Sequence, residues 1–176
     1  MDMIKTFTFI IIFVWCLIPS QKLWAQTTPP EVKEQVIQLN QCHDKTLRVR
    51  FLCNPDWELE EDKETILIII SQNPAVTLTI TRIKTEAVFL EELTPEILQE
   101  MGQYADGFSS SKTEISGQEA LVVDGHYDSD ENVRMRDYYI LHKKKLYGIL
   151  FSVNPPSSFL DYEVLLDKII RNFEFF

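Results

Sequence analysis

Apolar residues recur with period two along most of this chain and with a period near 3.6 in two short stretches. The clearest segment is 137–153, DYYILHKKKLYGILFSV. Two apolar runs, 138–141 and 146–153, flank the basic triplet Lys143, Lys144 and Lys145. Both runs are rich in aromatic and β-branched residues, which predicts adjacent antiparallel strands joined by a short polar turn. The second run places Tyr147, Ile149, Phe151 and Val153 on one face and Leu146, Gly148 and Leu150 on the other. A strand apolar on both faces needs cover on both, so it is expected in the middle of a sheet.

The remaining pattern supplies neighbours for it. Residues 47–53 alternate Leu47, Val49, Phe51 and Cys53 against Arg48, Arg50 and Leu52, a half-buried strand. Asn54-Pro55-Asp56 turns the chain, and Trp57 and Leu59 begin a second short strand with Trp57 as a core anchor. The acid-rich stretch 58–64 (ELEEDKE) reads as a solvated hairpin turn. Residues 65–71 (TILIIIS) form a continuous apolar strand. After Asn73-Pro74, residues 75–84 alternate Val76, Leu78 and Ile80 against Thr77, Thr79 and Thr81, which predicts one solvent face and a place nearer the sheet edge. Residues 108–116 read as a polar edge strand, 119–124 as another strand, and 125–132 (GHYDSDEN) as the longest polar loop.

Two helices stand out. Thr94-Pro95-Glu96 has the form of a helix start, with Ile97, Leu98, Met101, Tyr104 and Ala105 as the apolar stripe and Gly107 as the stop. After the Asn154-Pro155-Pro156 break, Ser157 or Ser158 is placed to cap a helix over 159–172. Its Tyr162, Leu165, Leu166, Ile169, Ile170 and Phe173 make one continuous stripe, with acids early and Lys168 and Arg171 late, as the helix dipole favours. A third, short helix is compatible with 31–40, where Val32, Val36 and Leu39 fall near helical spacing.

Composition sets the setting. Lys5, the apolar run 7–18 and the Leu23-Trp24-Ala25 site have the layout of a secretory signal peptide with a cleavage point after Ala25, an uncleaved N-terminal anchor being the competing reading. The run is too short to span a bilayer, so no transmembrane segment is expected in the mature chain. The expected organisation is a signal peptide at 1–25, a linker at 26–45 and one domain at 46–176. The chain carries a net charge of −10, and removing Asp2, Lys5 and Lys22 leaves 26 acidic against 15 basic residues. A field of that sign disfavours nucleic acid and tolerates a cationic partner or a divalent metal. Export leaves Cys42 and Cys53, an even pair for which a disulfide is expected, with two unpaired thiols as the competing state. A catalytic thiol beside His43 would lack an oriented base.

The candidate chemistry centres on Asp124, His126, Asp128, Asp130 and Glu131, whose oxygens and imidazole could ligate Ca2+ or Mn2+. The calcium-loop spacing Asp-x-Asp-x-Asp-Gly is not present, and a solvated hairpin tip explains the same residues. No Gly-x-Ser-x-Gly, His-Glu-x-x-His, phosphate loop or dinucleotide fingerprint occurs, and His43, His126 and His142 share no metal-site spacing. The expectation is a chain that is not an enzyme, with an unrecognised hydrolase as the minor alternative.

The order of motifs resembles a known family. Phe51-Leu-Cys-Asn-Pro-Asp-Trp57, the strand at 76–83, the helix at 94–108, Ile115-Ser-Gly-Gln-Glu-Ala-Leu121 and the tail from Tyr138 to Phe175 together resemble the PsbP C-terminal domain and its bacterial relatives. The resemblance covers roughly residue 46 to the end. It implies an α+β fold, an α/β/α sandwich around a central antiparallel sheet, shared with the Mog-type Ran-binding proteins. It also implies an exported (periplasmic, extracellular or lumenal), non-catalytic accessory protein whose partner is a membrane-associated protein. In photosynthetic relatives that is an extrinsic subunit or assembly factor of the photosystem II oxygen-evolving complex, linked to calcium and manganese retention. The chain departs from the family in lacking both the lipidation motif of cyanobacterial members and a long basic N-terminal arm. No family ligand residue maps onto a position in this sequence.

Overall fold

The computed structural model describes residues 38–127 and 133–176. In chain order they form β1 (Asn40–Asp44), β2 (Val49–Cys53), β3 (Glu58–Glu61), β4 (Thr65–Gln72), β5 (Ala75–Lys84), α1 (Thr94–Tyr104), β6 (Ala105–Ile115), β7 (Gln118–Tyr127), β8 (Arg134–His142), β9 (Lys145–Asn154), α2 (Phe159–Arg171) and β10 (Glu174–Phe175). An antiparallel sheet of seven strands runs β3-β4-β5-β9-β8-β7-β6, and a three-stranded sheet runs β1-β2-β10. β9 is the central strand of the seven, as its two apolar faces require. Lys143 and Lys144, both with positive φ, make the two-residue turn between β8 and β9.

Side-chain alternation gives the large sheet two covers. Ile66, Ile68, Val76, Leu78, Ile80, Ile149, Phe151 and Val153 point to one side, where they meet Leu165, Leu166 and Ile169 of α2 and Val49, Phe51 and Phe173 from the small sheet and its approach. Ile169 is fully buried and Phe173 only 1% exposed. Each such side chain contributes about 1.5–3 kcal/mol on burial, so α2 is the main clamp on the sheet. On the opposite side, Ile97 and Met101 of α1 pack on Leu121, Val123, Met135 and Leu146. Among the described residues no helix is long and apolar enough to cross a membrane.

Several expectations change in detail. The strand at 47–53 lies outside the large sheet: β2 pairs with β1 and β10, and Val49, Phe51 and Cys53 cap the α2-side core. The short strand expected from Trp57 and Leu59 is the edge strand β3, which runs to Glu61 into the stretch read as a turn; all four of its residues are exposed, so only backbone pairing to β4 defines it. β5 is not near an edge, being held between β4 and β9. Its open threonine face reports missing cover on that side, not lateral position. α1 stops at Tyr104, and Gly107, at φ +62°, serves the β6 irregularity between Asp106 and Ser109 in place of a helix stop. Thr94 Oγ1 donates back to the Leu90 carbonyl at 3.1 Å and caps nothing, and no serine side chain caps α2. β7 extends to Tyr127, which takes Gly125 and His126 out of the anticipated loop. β1 falls in the stretch read as a linker, and the segment 31–37 of the compatible short helix lies outside the described residues.

Candidate functional site

Where β6, β7 and β8 run beside α2, polar side chains replace the apolar floor. Cross-strand register makes direct pairs of Val122 with Tyr138, Asp124 with Arg136, and His126 with Arg134. Because each pair shares one side of the sheet, Asp124, His126, Arg134 and Arg136 converge there. Arg136 Nε donates to Asp124 Oδ2 at 2.7 Å, and its Nη1 donates to Glu163 Oε1 of α2 at 2.8 Å. Arg134 forms an ion pair with the other Asp124 oxygen. Arg134 Nη1 also lies 3.0 Å from His126 Nε2. A guanidinium has no acceptor, so the imidazole accepts through Nε2 and carries its proton on Nδ1.

Both guanidiniums also sit over Phe159 in the first turn of α2, with centroid distances of 5.4 Å for Arg134 and 5.1 Å for Arg136. Burial works against the Arg136 charge, yet hydrogen bonds to Asp124 and Glu163 more than offset it and hold the group above its usual value. Burial likewise raises the Tyr138 phenol, with Arg136 acting in the opposite direction. Above these groups lies a recess of about 360 Å³ lined by Ser109, Ser111, Thr113, Asp124, Arg136 and Tyr138. One wall is β6, the terminal strand of the large sheet, whose outer backbone edge has no strand beside it among the described residues. The arrangement offers oriented donors and acceptors on a rigid frame, with its carboxylates already matched by guanidiniums.

The five residues singled out for a metal divide in two. Asp124 and His126 both face Arg134, and Asp124 is held by two cations. Asp128, Asp130 and Glu131 lie outside the described residues. Among the described residues no group of three His, Cys, Asp or Glu side chains is placed to hold a metal ion. Cys42 and Cys53 are joined as a disulfide, Cα to Cα 5.8 Å, tying β1 to β2. His43 lies beside the ring of Phe176, and His142 stacks on Phe175 at 4.6 Å.

Sequence reasoning missed two features of this region. Arg134 and Arg136 carry the polar network, and their i, i+2 spacing opposite Asp124 and His126 was the available signal. Asp137, on the α1 side of β8, is 7% exposed, and burial raises its carboxyl to about 7 against hydrogen bonds from the Tyr139 side chain and the Tyr138 backbone. An acid inside an alternating apolar run was its signature.

No family model and no curated protein matches the chain in sequence. Solved structures do match in fold. The cyanobacterial PsbP (CyanoP) of Synechocystis is 14% identical with a TM-score of 0.58, over 85% of this chain and 100% of that one. The Ran-binding protein Mog1p of Saccharomyces cerevisiae is 11% identical with a TM-score of 0.55, over 79% and 96%. A Bacteroides thetaiotaomicron protein is 14% identical with a TM-score of 0.56 over 77% of this chain, which spans about half of that longer one (48%). The fold is therefore the PsbP/Mog-like α+β sandwich that the motif order implied.

Proposed function

We propose that this chain is an exported, non-catalytic accessory protein that binds a protein partner at a membrane, in the periplasm or an equivalent compartment. The observation that carries the reading is the recess over β6, β7 and β8, to which Glu163 of α2 is tied through Arg136. Its hydroxyls, the Asp124–Arg136–Glu163 ladder and the open backbone edge of β6 form a pre-set hydrogen-bonding surface of the kind that takes an extended segment. A structural neighbour named for binding Ran supports binding as the use of this fold. In a photosynthetic source the reading extends to an extrinsic photosystem II subunit or assembly factor. Chemical crosslinking in native membranes followed by purification of the chain tests it. One reproducible protein partner is expected, lost when Ser111→Glu and Thr113→Glu crowd the recess with charge. Recovery without a partner, or a partner indifferent to those changes, contradicts it.

A further inference from the structure

Six cations meet at one end of the large sheet, in a chain whose net charge is −10. Lys84 and Lys145 are direct cross-strand partners on β5 and β9, and Lys145 also pairs with His142 of β8. Lys143 and Lys144 form the intervening turn, and both are exposed. Arg48 joins them because the turn before β2 is tied to the large sheet: Tyr147 donates its hydroxyl to the Leu47 carbonyl at 2.9 Å, and Arg82 donates to the Thr46 carbonyl. Burial, then Lys143, Lys145 and Arg48, lowers the His142 imidazole; burial, then Arg82, Arg48, Lys84 and Lys143, lowers the Lys145 ammonium. A counter-charge is Glu86, 3.6 Å from Lys144, with both side chains largely exposed.

Two features of this tip oppose local folding preference. Like charges directly across a ladder repel. Lys143 and Lys144 have φ of +49° and +58°, the left-handed turn geometry that Asn-Gly fills most easily. Lysine eases neither cost. Residues that break local rules in this way mark function more often than stability.

We infer that this cationic tip docks on an anionic lipid surface. Four of the six cations are lysines, hydrated point charges on flexible stems that suit many headgroups better than one planar ligand. Lys143 and Lys144 project from the turn and Lys84 and Lys145 end the strands beside it, so the patch is a tip that meets a plane without enclosing a solute. Clusters of four to eight Lys and Arg are what an anionic leaflet attracts, at about 1 kcal/mol per charge. The C-terminal Phe176, whose N–H donates to the Arg48 carbonyl, places a 36%-exposed aromatic ring at the rim. The inference does not rest on the recess beside α2.

Co-sedimentation of the full chain with vesicles tests it, comparing phosphatidylcholine alone with equal parts phosphatidylcholine and phosphatidylglycerol. Stronger binding to the anionic vesicles is expected, weakening as salt rises. The variant Lys143→Asn/Lys144→Gly restores the residues this turn prefers, so its folding is preserved. Removing two charges at about 1 kcal/mol each should lower partitioning about thirtyfold. Equal binding to both vesicle types, unchanged partitioning of the variant, or capture by soluble polyglutamate with vesicles ignored would each overturn it.

Discussion

Arg136 Nη1 lies 2.8 Å from Glu163 Oε1, an ion pair that fastens β8 of the sheet to α2. The same guanidinium holds Asp124 through Nε, so one side chain satisfies two carboxylates at the floor of the recess. Replacing Arg136 by Ala should cost about 1–3 kcal/mol, because partly buried Asp124 then loses one of its two cations. Glu163→Gln should cost under about 1 kcal/mol, since that side chain is 35% exposed and solvent screens the pair. Urea midpoints of the two variants check the ranking, which reverses if the helix-side pair dominates.

Because Asp124 is already neutralised by Arg134 and Arg136, a divalent cation would have to displace a guanidinium to use it. Any Ca2+ or Mn2+ heat in calorimetry should therefore be the same for Asp124→Asn as for the native chain. A loss of heat on that change would place Asp124 among the ligands.

Asp137 sets a pH dependence. Its carboxyl, 3.8 when unfolded and about 7 when folded, is protonated in the native state across a window where the unfolded chain has released the proton. Stability should fall as pH rises from about 4 to about 7 and level off above, with a limiting slope of about 1.4 kcal/mol per pH unit from this group. Asp137→Asn should flatten that slope and stabilise the protein at neutral pH. Thermal midpoints measured across the window check it, and an unaltered slope in the variant would contradict it.

The turn between β8 and β9 should be improvable. Lys143→Asn/Lys144→Gly relieves two left-handed lysines and should stabilise by about 1–2 kcal/mol. A raised thermal midpoint together with weakened anionic-vesicle binding would separate the tip's function from its fold.

Ile169, fully buried between α2 and the sheet, should be among the costliest positions to truncate. Ile169→Ala is expected to destabilise by about 2–5 kcal/mol, and Leu160→Ala, 73% exposed on the same helix, by less than about 0.5. Chemical denaturation of the pair checks the facing assigned to α2.

Much of this fold can be read in the residue pattern. The two-faced run through Tyr147 and Leu150 identified the central strand, and the stripe from Tyr162 to Phe173 identified the clamping helix. Both signals come from burial, which side-chain alternation records directly. What the pattern hid was backbone pairing without burial. β1 and β10 are mostly exposed, hence their side chains leave no apolar period to find, and the wholly exposed β3 showed only its start, at Trp57 and Leu59. β5 shows that a solvent face and a sheet edge are different things. The candidate site was half legible: Asp124 and His126 drew notice as ligands, but the strand extension through Tyr127 put them opposite Arg136 and Arg134. Cross-strand register is a tertiary fact that one strand's sequence does not encode.

The central claim is that recognition occurs at the recess over β6, β7 and β8. A photoreactive residue at Ser111 on β6, compared with one at Lys168 on α2, tests it most directly in native membranes. Crosslinks to a protein partner from position 111, with few or none from position 168, are the predicted result. Crosslinks from 168 with silence at 111 would contradict it.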